Sequence, residues 1–97
     1  MGIFNRKQIL YKTAAEIEIM REAAQIVSRT LGIIAAEIKP GVTPLHLDKI
    51  AEEYIRSQNA IPGFLGLYDF PNTLCISINE QVVHGIPSNK PLNEGDI

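Results

Sequence analysis

Two side chains near the end of this 97-residue chain could do chemistry: Cys75 and His84, in the stretch TLCISINEQVVHGIP. A thiol beside an imidazole is the start of a nucleophile and its general base. That chemistry needs a third group to orient the imidazole, and the sequence places none, which argues against a cysteine hydrolase. His84 as a metal ligand would need carboxylates or imidazoles converging on it. Glu80 and Asp96 are near in sequence, but a turn and a loop separate them from His84. Two uses of His84 stay open: a structural histidine, or a hydrogen-bond donor to a ligand. The second histidine, His46, has no partner at ligand spacing and reads as a surface or capping residue. The chain has no GxSxG, Walker, HExxH or GxGxxG pattern.

The segment before this stretch, IPGFLGLYDFPN, spans Ile61 to Asn72. Two prolines and two glycines bar a regular helix. Phe64, Leu65, Leu67, Tyr68 and Phe70 are too apolar for an ordinary surface loop. The segment is either a loop packed over the core or the apolar wall of a ligand pocket.

Three elements must position these residues. Thr13, followed three residues later by Glu16, has capping-box spacing. Ile17, Met20, Ala24, Val27, Leu31, Ile34 and Ile38 then recur at steps of three and four, with Ile19, Ile26 and Ile33 widening the face. The spacing predicts one helix over about Ala14 to Ile38, stopped by KPG, with Met20 as core filler. Thr43 as cap and Pro44 at the first helical position open a second helix, with Leu47, Ile50, Ala51, Tyr54 and Ile55 as its buried stripe. Asn59 closes it in a left-handed conformation. Leu74, Ile76 and Ile78 alternate with Cys75, Ser77 and Asn79, the period of a strand. Val82 to Gly85 reads as the return strand, so a two-residue turn at Asn79-Glu80 sets Cys75 opposite His84. The expected fold is therefore α+β, two helices packed on an antiparallel hairpin. Residues 1–12 read as an N-terminal tail and 13–97 as the structured portion. NKPLNEGDI leads into a further strand of which only Asp96 and Ile97 are present, so the chain reads as cut.

Composition limits the partners. Net charge is −2, and no basic stripe marks a nucleic-acid surface. Arg6, Lys7 and Lys12 are too few for a polybasic membrane signal. No apolar run reaches the ~18 residues of a membrane span, and MGIFNRKQ lacks the features of a signal peptide. Met1-Gly2 starts like a myristoylation site, but Arg6 stands where serine or threonine is needed. One cysteine excludes a disulfide framework and a multi-thiolate zinc site, and fits a reducing, cytoplasmic setting.

FPNTLCISINEQVVHGIP followed by LNEGDI closely resembles the type I methionine aminopeptidases. Thr13 to Pro40 and GVTPLHLDKIAEEYI resemble the two N-terminal helices of that family, so the likeness runs from about Ile9 to Ile97. The resemblance implies an incomplete pita-bread (creatinase/aminopeptidase) fold, truncated before the metal-ligand strands. It implies cytosolic removal of the initiator methionine from nascent proteins, with a divalent metal pair (Co, Mn, Fe or Zn) activating water. The family's five metal ligands then belong beyond Ile97, so no catalytic or metal residue carries over, and no metal is expected on this chain. Asp96 is not one of the ligands.

The substrate side does carry over by resemblance. His84 matches the histidine that hydrogen-bonds substrate near the scissile amide. Phe70 and Cys75 match residues lining the methionine side-chain pocket, and Phe64 and Leu67 fall at further pocket positions. The family often has a smaller or thiol residue at Phe64 and tyrosine at Leu67, and a His-Gly pair is common where this chain has Tyr68-Asp69. These departures put selectivity in doubt. The alternatives to a peptidase are a non-catalytic pita-bread module that binds peptides or proteins, and a truncated interaction fragment. An open edge at Val82 to Gly85 and uncovered apolar surface on the first helix predict that the isolated chain self-associates or is partly molten.

Overall fold

Local chemistry alone is enough to start and stop two helices. The structure, a computed structural model, describes residues 8–97. The expectations placed on Met1-Gly2, Arg6 and Lys7 lie outside the described residues. Helix α1 runs Ala14–Glu37. The Glu16 N–H donates to the Thr13 hydroxyl at 3.1 Å, and the Thr13 N–H donates to the Glu16 carboxylate at 2.8 Å. This reciprocal pair satisfies two donors that a helix start leaves free, and such a cap is worth about 1 kcal/mol. Ile38 is already extended, because Lys39 precedes Pro40 and the proline ring disfavours helix there. Helix α2 runs Pro44–Ser57, capped by Thr43, whose hydroxyl accepts the His46 N–H at 3.1 Å. Asn59 follows it with φ of +57°, in the left-handed region.

The two helices meet at one end. Ile34 of α1 and Leu47 and Ala51 of α2 form the core, with Val42, Ile50, Leu74, Ile76 and Leu92 packed against it. Buried Thr30 gives its hydroxyl hydrogen to the Ile26 carbonyl at 2.7 Å, so its polar group is satisfied inside the helix. Along most of α1 the apolar face is open: Ile17, Met20, Val27 and Leu31 are all exposed. Met20 is therefore not core filler; 53% of its surface meets solvent. The accessible surface is 7713 Å², against about 5,500 Å² for a compact protein of this mass. The radius of gyration, 16.9 Å, likewise exceeds the ~12.5 Å of a compact domain of this length.

The α+β expectation is overturned: the described residues contain α1, α2 and a 3-10 turn at Leu67–Asp69, and no β-strand. A ladder needs successive backbone bonds, and here the donors are diverted. The Ile76 N–H reaches the Gly85 carbonyl at 2.8 Å. The next donors go to side chains instead: Gly85 N–H to Ser77 Oγ at 3.0 Å, and Ile78 N–H to Gln81 Oε1 at 2.9 Å. Local side-chain acceptors compete with sheet pairing in this way. The turn itself forms at Asn79-Glu80, with the Gln81 N–H on the Ile78 carbonyl and Asn79 left-handed. Val82 and Val83 then swing out into solvent. Because Ile76 faces Gly85, Cys75 is not opposite His84, and the expected register is corrected by two residues.

Candidate functional site

The loop after α2 is held by that helix. Asp48 is buried, and its Oδ1 accepts the Leu74 N–H at 2.6 Å while Oδ2 accepts the Asn72 side-chain amide at 3.1 Å. One turn on, Glu52 accepts the buried Thr73 hydroxyl at 3.4 Å and pairs with Arg56 at 2.9 Å. Three consecutive residues, Asn72 to Leu74, are thus tied to one helix face immediately before Cys75. The sequence reading missed Asp48. Its signal was there, since Asp48 lies on the same stripe as Pro44, Leu47 and Ala51, where a carboxylate is out of place unless it accepts hydrogen bonds.

From this anchor the aromatic loop closes on itself. The Gly66 N–H donates to the Phe70 carbonyl at 2.8 Å and the Phe70 N–H to the Leu67 carbonyl at 2.9 Å. Gly66, Tyr68 and Asp69 all take positive φ. For Gly66 that is free of cost, whereas the other two are sterically unusual and form a tight, exposed tip. The loop sets the Phe64 ring edge-on to Phe70, with centroids 5.1 Å apart. Phe64 also meets the imidazole of His84 at 5.6 Å, tilted by 52°. Phe64 is thus the ring that joins the loop to the histidine, edge-to-face with Phe70 and tilted against His84.

His84 is exposed with φ of +53°, and its backbone is fixed by the next residue. Gly85 lies so close to the preceding segment that an added Cβ would drive into the Ile76 carbonyl oxygen and come within 2.8 Å of its carbon. Only glycine fits there. Cys75 is a free, exposed thiol. It shares with Phe64 an apolar groove of about 350 Å³ that Val27, Leu31, Ile55 and Leu74 also line. Leu67 stands on the 3-10 turn, 46% exposed. The structure therefore gathers Phe64, Phe70 and His84 into one row of rings and links Cys75 to that row through Phe64. Leu67 lies at the outer tip.

Asp96 has a different task. Its carboxylate accepts the Asn93 N–H at 2.8 Å and the Asn79 side-chain amide at 3.0 Å. Those bonds, the backbone one first, hold its pKa below the ordinary carboxylate value. The bonds therefore stabilise the fold above the unfolded carboxylate pKa and are lost as acid takes the pH down through the lowered one. Among the described residues no three of His, Cys, Asp and Glu come together to hold a metal ion.

Residues 18–97 match the model of metallopeptidase family M24. The chain is 51% identical over 90 residues to the methionine aminopeptidase of Clostridium acetobutylicum, and 47% over 89 residues to that of Clostridium perfringens. Each alignment covers 92% of this chain and 36% of the relative. The crystal structure of methionine aminopeptidase from Rickettsia prowazekii is similar at a TM-score of 0.89 and 40% identity, over 92% of this chain and 36% of that one. The chain thus spans about a third of the length of the proteins it matches.

Proposed function

This chain belongs to metallopeptidase family M24, and from that premise we propose that it supplies the substrate side of a cytosolic methionine aminopeptidase. The observation that carries the reading is the Phe64 ring, in contact with both Phe70 and His84. An exposed imidazole at the end of an aromatic row can donate its N–H to a peptide carbonyl while the rings receive the first side chain. A thioether suits such a surface, because polarizable sulfur packs well on aromatic edges and beside a thiol. The imidazole then stabilises negative charge that develops on the carbonyl oxygen during hydrolysis. The substrate is the N-terminal methionine of nascent peptides. On this reading the divalent metal pair that would activate water is held by groups outside the row of Phe64, Phe70 and His84.

A graft tests this. Residues 9–97 replace the matched first third of the Clostridium acetobutylicum relative, and release of methionine from Met-Ala-Ser is assayed with cobalt or manganese. The graft is expected to turn over, and His84→Ala to lower its kcat by about 10²- to 10³-fold. The 97-residue chain alone is expected to release no methionine above a no-protein control. Turnover by the lone chain, or a graft indifferent to His84→Ala, would remove the basis of the proposal.

The open face of α1 has its own consequence. Ile17, Met20, Val27 and Leu31 leave a continuous apolar stripe, of the kind that drives association in water. The isolated chain is expected to scatter light as dimers or larger species. A monomer at all accessible concentrations is the contrary result.

A further inference from the structure

The proposed substrate-side role of His84 requires its imidazole to stay beside Phe64, yet His84 adopts a backbone conformation that a non-glycine residue avoids. Something must hold it. Gly85, the residue that follows His84, is held at both its backbone groups by consecutive residues: its carbonyl accepts from Ile76 N–H at 2.8 Å, and its N–H donates to Ser77 Oγ at 3.0 Å. In a regular hairpin that second donor would go to a backbone carbonyl. Here a hydroxyl takes its place, and the chain gains room for the left-handed turn at residue 84. Ser77 is half-buried, so its bond is partly shielded from competing water.

We infer that Ser77 is a positioning residue: its hydroxyl holds Gly85, and through it sets His84 against the Phe64 ring. The inference rests on the reading of His84 as the substrate-side imidazole, but the placement of the ring can be measured without any substrate.

The chain has two histidines, His46 and His84, so ¹³C-labelled histidine gives two sets of imidazole signals. His46 lies in the first turn of α2 and serves as the internal reference. The ring current of Phe64 shifts the His84 signals, and Phe64→Leu identifies them by removing that shift. Ser77→Ala is expected to move the His84 signals towards their Phe64→Leu positions, leave His46 in place, and speed exchange of the Gly85 amide by about three- to tenfold. Ser77→Cys, nearly isosteric with a weaker acceptor, is read beside it, and Ser77→Thr, which keeps a hydroxyl, is expected to restore the wild-type positions. Movement confined to His84 in either variant supports the inference. His84 unmoved in both, or moved only together with His46, overturns it. In the graft, Ser77→Ala is expected to lower kcat by about ten- to a hundredfold, with little change in KM and no further loss when added to His84→Ala. Activity lost with His84→Ala and retained with Ser77→Ala defeats the positioning role. Indifference to His84→Ala defeats the substrate-side reading and leaves the ring measurement to decide on Ser77.

Discussion

Replacing Gly85 with alanine is expected to dislodge the 84–86 segment from residues 76 and 77 and to destabilise the chain by about 3 kcal/mol, the upper end of the range for overpacking. The atoms in the way belong to the Ile76 backbone, so no side-chain rotation can relieve the clash. Gly85 does not have a positive φ, so the effect measures space and not backbone conformation. The two bonds that clamp Gly85 must lengthen or break, and the Phe64–His84 contact goes with them. Gly32, inside α1 with open space where a methyl group would go, is the control. There alanine removes a helix-interior glycine and is expected to stabilise by about 1 kcal/mol. Urea unfolding at one fixed protein concentration reads both, since association would otherwise enter the midpoint. Equal midpoints for the Gly85 and Gly32 variants would show that the close approach is not part of the folded chain.

Asp48→Ala is the second large effect. It strips the Leu74 N–H and the Asn72 amide of the acceptor they share. Bonds to a charged group are worth about 1.5–3 kcal/mol each, and a donor left buried without a partner adds its desolvation cost. The two are neighbours, so their losses do not simply add; about 3 kcal/mol is expected, or a fall of about 12–24 °C in Tm for a chain this short. Asp48→Asn keeps the shape and one acceptor oxygen for Leu74, but turns an amide donor towards the Asn72 donor. It is expected to fall between wild type and alanine. Thermal unfolding followed by circular dichroism gives the order, and an alanine variant that melts with wild type would mean α2 does not hold the 72–74 segment.

These two positions show how differently parts of the chain can be read. Asp48 sits on a helix whose cap, first proline and stop residue are all written locally, so its place on the buried stripe follows from spacing. What it binds does not follow, because Leu74 is 26 residues away. At Gly85 the short spacing suggested a plain hairpin, and the turn at Asn79-Glu80 does form. The pairing beyond it fails because Ser77 and Gln81 offer side-chain acceptors to the same backbone donors, and alternation of apolar residues carries no record of that competition. The rings of Phe64, Phe70 and His84 were each singled out by type, and the family resemblance gave them a shared purpose, but their meeting at 5.1 and 5.6 Å depends on a loop bent by three positive-φ residues.

The sequence by itself determined both helices, their caps, the apolar face of α1 and membership of a peptidase family, because capping and a 3.6-residue period act over a few neighbouring residues. Only the tertiary structure decided that no strand forms among residues 8–97, that Asp48 holds the 72–74 segment, and that Phe64 is the ring on which His84 rests. Each of those depends on which distant donor, acceptor or surface reaches a group first, and a linear pattern does not contain that distance.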